Sequence, residues 1–119
     1  MLLNSLSQQA MEKSMDAVWM KMQVHADNLA NYSTPDYKAK RVDFSQVLKN
    51  VQDDDTGKIV FRTTVTTDET TEARVDGNNV DMEYEQLELW KAQAQYAALT
   101  TKISGEFTNL RTIINTVGR

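Results

Sequence analysis

MEYEQLELWKAQAQYAALTTKISGEFTNLRTIINTV, residues 82–117, is the stretch that decides the fold. Apolar residues recur in it every seven positions, and a second row follows three positions after the first, which is typical of a helix packed along another helix. The first row contains Met82, Leu89, Tyr96, Ile103, Leu110 and Val117, and the second contains Ala92, Leu99 and Ile113. Glu85 and Glu106 interrupt the second row. We therefore predict one long helix within residues 80–119.

The start of this helix follows DGNN, residues 76–79. Asn78 or Asn79 can cap it, and Asp81 and Glu83 would lie near the positive end of its dipole. A single partner helix would leave an apolar flank in water, which indicates contacts with further helices. That flank contains Leu87, Trp90, Phe107 and Ile114.

A second amphipathic pattern lies near the amino terminus. Ser5 and Gln8 have the spacing of a capping box, and apolar residues then follow at helical spacing as far as Leu29. These residues are Met11, Met15, Val18, Met22 and Leu29, with His25 in the same row. Pro35 lacks a backbone N–H, so the helix should run from Ser5 to Ala30 and end at the stretch NYSTPDYK, residues 31–38. Its methionines are compatible with simple core filling or with a surface that accepts inequivalent neighbours.

The residues between these helices carry weaker signals. Asp43 can cap a short helix, because Phe44, Val47, Leu48 and Val51 recur at helical spacing. Residues 51–79 are acidic and rich in threonine, and Ile59, Phe61, Thr63 and Val65 alternate as in a strand. We predict residues 1–50 as helix, turn and short helix, and residues 51–79 as a loop or small β-hairpin. The fold class is mainly α, with a long antiparallel coiled coil between residues 1–50 and 80–119.

Composition excludes several classes of protein. The net charge is −4, and no basic cluster exceeds the short group of Lys38, Lys40 and Arg41, so a nucleic-acid partner is not expected. Cysteine is absent, which excludes disulfides and thiol chemistry. The longest aliphatic or aromatic run is Ile59, Val60 and Phe61, far short of the roughly 20 residues that span a bilayer. The opening MLLNSLSQQAMEK does not have the form of a cleaved signal.

The sequence offers no catalytic or metal-binding constellation. His25 is the only histidine and lies among apolar residues, so we expect a structural role, with pH-sensitive packing as the alternative. The acidic groups at 53–55 and 76–81 fail the ligand order of a calcium loop. We therefore predict neither an active site nor a cofactor.

The segment HADNLANYSTPDYK, residues 25–38, resembles the NLAN…TPGYK signature of the bacterial flagellar rod, hook and hook-associated axial proteins. The matching residues are Asn28, Leu29, Ala30, Asn31, Thr34, Pro35, Tyr37 and Lys38, and Asp36 stands where the family has glycine. Segments 42–44, 76–81 and 107–114 resemble the proximal rod members of that group. The resemblance covers both ends of the chain and leaves the middle unmatched.

This resemblance implies a structural subunit of the proximal rod of the flagellar basal body. It would be exported unfolded by the flagellar type III apparatus without a cleaved signal, and would lie outside the cytoplasmic membrane. Its partners would be further copies, other rod proteins and components of the proximal base or export gate. Termini of such proteins order on assembly.

From the helical pattern we predict the coiled-coil and subunit interface to contain Met15, Val18, Met22, Leu29, Leu89, Tyr96, Leu99, Ile103, Leu110 and Ile113. Asn28, Asn31, Thr34, Pro35 and Tyr37 should shape the turn below it. Two alternatives differ in class. One is a stably dimeric coiled-coil adaptor or chaperone, and the other is a small hydrolase, against which the lack of a fixed carboxylate pair argues.

Overall fold

The computed structural model describes residues 6–49 and 58–118. They form two long helices and a two-stranded antiparallel sheet, in the order α1 (Leu6–Ala30), β1 (Lys40–Lys49), β2 (Lys58–Thr67) and α2 (Met82–Val117). The prediction of a mainly helical protein with long helices at both ends is confirmed. The predicted cap at Ser5 lies outside the described residues.

Helix α1 ends where the sequence predicted, at Ala30, just before the proline-containing turn. Within that turn Asp36 adopts a left-handed backbone with φ 60°, and its N–H donates to the carbonyl of Asp76 at 2.9 Å. Aspartate tolerates this conformation better than most residues, so it can replace the glycine found in the family signature. The turn therefore keeps its left-handed position without a glycine.

The predicted short helix at Phe44 is wrong. Residues 40–49 form strand β1, which pairs with β2 so that Val42 lies opposite Val65 and Phe44 opposite Thr63. The rings of Phe44 and Phe61 stack at 5.9 Å with 5° between their planes. A helical spacing was present locally, but pairing with the next strand along the chain outweighed it. A small antiparallel sheet is present, but only its strand β2 lies within residues 51–79, where the sequence predicted a loop or small hairpin, and the strand-like alternation from Ile59 to Val65 falls in β2. Val51 lies outside the described residues.

Helix α2 begins one turn after the asparagines that the sequence indicated as caps. The actual cap is Asp81, whose side chain accepts the N–H of Tyr84 at 3.3 Å. Along the second half of α2 several threonine hydroxyls donate to the carbonyl four residues earlier. These bonds start at Thr100, Thr101, Thr108, Thr112 and Thr116.

The molecule is long and thin. Its Cα atoms extend over 69 × 38 × 14 Å with a radius of gyration of 19.4 Å, whereas a compact domain of this length would have about 13.5 Å. A thickness of 14 Å is about that of two packed helices. The buried apolar residues are correspondingly few, and they include Met11, Ala17, Val18, Val24, Ala39, Val80 and Ala92.

Candidate functional site

The first candidate site is the helix seam, the face along which α1 and α2 meet. Trp19 and Tyr96 lie with ring centroids 5.9 Å apart. Towards the start of α1, Met11 and Met15 line one groove with Ile103. Towards its end, His25 contacts Glu85. Residues early in α1 therefore meet residues late in α2.

The ten predicted interface residues are unevenly covered. Val18 is buried, and Ile113 is 55% exposed. The remaining eight are half-buried: Met15, Met22, Leu29, Leu89, Tyr96, Leu99, Ile103 and Leu110. Nine of the ten are thus at least partly covered, and all but Val18 keep some exposed surface.

The second candidate site is the polar junction, a cluster of buried polar side chains at the end of the seam next to the turn. It contains His25, Asn28, Arg41, Asp68, Asn78, Asn79 and Glu85. Four of these side chains form a connected polar chain: His25 Nδ1 lies 2.5 Å from Glu85 Oε2, Arg41 donates to Glu85 Oε1 at 2.5 Å, and Arg41 also lies 3.4 Å from Asp68. Since these residues belong to α1, α2, β1 and the segment after β2, the polar chain connects all four elements.

Glu85 is fully buried, which alone would raise its pKa. Hydrogen bonds from His25, Asn28 and Arg41 act in the opposite direction and prevail, so the pKa lies below its ordinary value. The carboxyl is therefore held ionised inside the junction. The pKa of Asp68 is also lowered, chiefly by the Thr71 hydroxyl and then by the backbone N–H groups of Thr70 and Thr71.

Asn28, one of the predicted turn residues, joins α1 to the sheet. Its amide donates to the carbonyl of Lys40 and accepts the Lys40 N–H, both at 2.9 Å. The side chain thus bonds the start of β1 as a neighbouring strand would. Tyr37 supports it by donating its hydroxyl to Asn28 Oδ1 at 3.2 Å. Burial, followed by the nearby charges of Asp27 and Glu85, raises the pKa of Tyr37, so this hydroxyl keeps its proton.

The other three predicted turn residues lie at the surface end of the same turn. Asn31 donates to the carbonyl of Asp27 at 2.8 Å and accepts the Thr34 hydroxyl at 3.0 Å. Pro35 is exposed. Whether these residues shape the turn, and whether they have a role in assembly, both stay predictions.

Asn78 and Asn79, predicted as helix caps, are buried in the polar junction instead. The amide of Asn78 donates to the carbonyls of Asn31, Tyr32 and Thr34, and Asn79 bridges Ala39 and Asp68. They fasten the segment before α2 to the turn after α1. The sequence patterns gave the two asparagines another role and did not indicate Arg41 or Asp68, because most partners of these residues are far away in the chain.

Glu85 and His25 did leave a signal in the sequence. Each is a polar residue in a mainly apolar row, one on each helix. Two such residues on facing helices can satisfy each other, since neither could stay buried alone. Recognising them as partners would have fixed the register of the two helices.

Within residues 6–49 and 58–118, no group of three or more histidine, aspartate or glutamate side chains converges as a metal site would. Among the same residues, no helix is both long and apolar enough to cross a bilayer. The polar junction is a buried hydrogen-bonded cluster that holds the elements together. The helix seam is an apolar face that is only partly covered.

The chain is similar to known proteins over most of its length. It is 31% identical over 117 residues to the flagellar basal body rod protein FlgB of Bacillus subtilis (strain 168), and the match covers 89% of this chain and 91% of that protein. It is 28% identical over 113 residues to FlgB of Escherichia coli (strain K12) and to FlgB of Shigella flexneri, covering 79% of this chain and 82% of each relative. No family model matches the chain.

Proposed function

The chain belongs to the FlgB family of flagellar basal body rod proteins, and from that premise we propose that it builds the proximal rod by packing its helices against those of its neighbours. A rod protein is a structural component, so the family confirms that the chain is not an enzyme. The proposal concerns how this chain carries out that structural role.

The observation that carries this proposal is the amount of exposed surface. The chain exposes 8846 Å², whereas a compact monomer of its mass, 13.5 kDa, would expose about 6,500 Å². The excess of about 2,300 Å² exceeds the roughly 800 Å² that each partner buries in a standard protein interface. Large apolar side chains contribute to it, since Trp19, Trp90 and Phe107 are each at least half exposed. Neighbouring subunits would cover this surface.

Within one subunit, we infer an antiparallel coiled coil along the helix seam. The order of contacts supports it, because His25 meets Glu85, whereas Trp19, earlier in α1, meets Tyr96, later in α2. The seven-residue repeat of α2 has the period of such a seam. The ten predicted interface residues would then serve both the coiled coil and the contacts to other subunits.

Between subunits, the contact would be heterologous: one surface meets the next copy and a different surface meets the previous one. A contact of this kind repeats along a tube, and a stiff tube transmits torque. The partners would be other copies, other rod proteins and components of the proximal base or export gate. The location would be the basal body, outside the cytoplasmic membrane, after export without a cleaved signal.

The far end of α2 would order fully only on assembly. Residues 111–118 are all exposed, and Ile113, Ile114 and Val117 are among them. A helix without tertiary packing is only marginally stable in water. We expect the helix content of the purified protein, measured by circular dichroism, to rise when an adjacent rod protein is added. An already complete helix content with no gain on mixing would refute this ordering step.

A replacement experiment tests the rod function. Cells that encode this chain would lose swimming when its gene is deleted, and the wild-type chain would restore both swimming and rods seen by electron microscopy. Basal bodies purified from the restored cells should contain the chain. Its absence from them, together with a stable dimer in sedimentation of the purified protein, would favour an adaptor and overturn the proposal.

A further inference from the structure

Helix α2 carries a second row of residues on the side away from α1. This α2 outer stripe follows steps of three and four, as the helix seam does, and consists of Leu87, Trp90, Ala94, Ala97 and Thr101. All five are exposed, Leu87 at 49% and Trp90 at 66%. The stripe lies opposite the row of Glu85, Ala92 and Leu99 that faces α1, so no element of the described chain covers it.

Helix α1 has a matching row with the same spacing. This α1 outer stripe consists of Asp16, Trp19, Gln23, Ala26 and Ala30. All five are exposed, and Trp19 is 50% exposed although it touches Tyr96. Each subunit therefore presents two uncovered rows, one on each helix.

We propose that the α1 outer stripe of one copy packs antiparallel on the α2 outer stripe of the next copy, in the register that Val18 and Trp19 have against α2 in the middle of the helix seam. The inference rests on the proposed rod function and adds to it the faces that meet. Because the two stripes lie on different helices, the contact is heterologous and repeats from copy to copy.

Side-chain size supports this register. Within the subunit, Val18 lines a groove with Ala98 and Leu99, and Trp19 contacts Tyr96, whereas nearer the turn His25 contacts Glu85 and departs from that register. The register of Val18 and Trp19, continued along both stripes between copies, would set Trp19 opposite Ala97. It would also set Ala26 opposite Trp90, and Ala30 opposite Leu87. Each large side chain would then face a small one, which is the condition for close packing of two helices.

Charge supports a second copy as the occupant. In that register the exposed carboxylate of Asp16 comes beside Lys102, and that of Asp27 comes beside Lys91. Opposite charges along the edges of the contact would favour this pairing over others. The excess exposed surface of the chain is also large enough for one such contact on each side.

Disulfide trapping tests the register, because the chain has no cysteine of its own. The double variant Gln23→Cys/Ala94→Cys places one thiol on each stripe at facing positions. Basal bodies from cells that carry this variant, oxidised and run on a gel without reductant, should show a ladder of multimers that reductant removes. The matched control is Gln23→Cys/Ser104→Cys, which uses the same face of α2 out of register and should remain monomeric.

The outcomes distinguish a failure of the proposed contact from a failure of the rod function. If the Gln23/Ala94 variant is present in basal bodies but gives no ladder, or if the control gives an equal one, the proposed contact is wrong while the rod function stands. If even the wild-type chain is absent from basal bodies, the rod function fails and the contact fails with it.

A size exchange provides a second test in case the cysteines prevent assembly. Ala97→Trp would fill the space for the neighbour's Trp19 and abolish swimming, while the thermal midpoint of the monomer stays unchanged because Ala97 is exposed. Adding Trp19→Ala should restore swimming. Normal swimming of the single variant, or no restoration by the double variant, would overturn the contact.

Discussion

The two ends of the helix pair are built in opposite ways. At the turn end, the polar junction holds fully buried Glu85, Asn28 and Asn78, and most of its hydrogen bonds join residues distant in sequence. At the other end, residues 111–118 are all exposed, and Ile114 is 61% exposed. Buried polar networks specify one arrangement of the elements around them, whereas exposed apolar helix turns specify none. Under the proposed function, one end of the subunit would be fixed before assembly and the other would be left for neighbours.

The largest expected effect comes from removing the centre of the polar junction. Glu85→Ala leaves His25 and Arg41 without their shared carboxylate, and breaking a buried ion pair costs about 3–5 kcal/mol of unfolding free energy. Urea unfolding measures it. The control is Glu88→Ala, which removes a carboxylate that pairs with exposed Lys91 at 3.3 Å and should change stability by at most about 1 kcal/mol. Equal losses in the two variants would show that the junction is no more rigid than the surface.

Asn78→Ala should have the next largest effect. It removes a side chain that donates to three carbonyls of the turn and accepts the N–H of Val80. Buried partners left without a hydrogen bond cost about 1–3 kcal/mol. Exposed Asn109 on α2 is the control, and Asn109→Ala should leave the urea midpoint nearly unchanged. Equal urea midpoints for Asn78→Ala and Asn109→Ala would contradict the proposed difference between the two ends of the helix pair.

Replacing two glycines by alanine should change the stability in opposite directions. Gly77, in the turn end, has φ 83°, and an added Cβ would lie 2.1 Å from Asp36 Oδ1, so Gly77→Ala should destabilise by about 1–2 kcal/mol. Gly105, inside α2, has nothing within 4 Å of an added Cβ, so Gly105→Ala should stabilise by about 0.5–1 kcal/mol. Thermal unfolding measures both. A stabilised Gly77→Ala would mean that this turn is not held as described.

Acid should act on the polar junction through Glu85. Its pKa is lower in the folded state than in the unfolded chain, so its contribution is complete above the unfolded value of about 4.3 and is lost as the pH falls through the folded pKa. Between about pH 7 and pH 4 the change should be small, with the steep fall below. Glu85→Gln should lose its own part of that fall and keep the part due to Asp68. If the wild-type protein and Glu85→Gln have identical pH profiles of unfolding free energy, Glu85 does not contribute to the acid response.

The smallest expected effect on the monomer comes from the exposed end. Ile114→Ser should change the unfolding free energy by no more than about 0.5 kcal/mol, because the side chain packs on little. The same variant should nevertheless reduce rod assembly, which electron microscopy of basal bodies would reveal. A large loss of monomer stability would mean that this end is already packed in the free subunit.

The helices were predictable from the sequence because their information is local and repeated. The apolar rows of α1 and α2, the turn at Pro35 and the strand-like alternation of β2 each lie within one segment. The polar junction was not predictable in the same way. Arg41 can be recognised as a partner of Glu85 and Asp68 only after folding brings these three residues together. Strand β1 was mistaken for a helix for a related reason, as its partner strand lies beyond a further segment of chain. Asn78 and Asn79 had suitable chemistry for caps, but Asp81 stood closer to the helix start.

The threonines of α2 have a consequence for how its surface behaves when a neighbour covers it. Five hydroxyls between Thr100 and Thr116 already donate to carbonyls of their own helix. Covering these residues would therefore strand no unpaired hydroxyl donor, and what a neighbour would meet is largely their methyl groups. This stretch is polar in composition, but its threonines would cost little free energy to remove from water when a neighbouring subunit covers them.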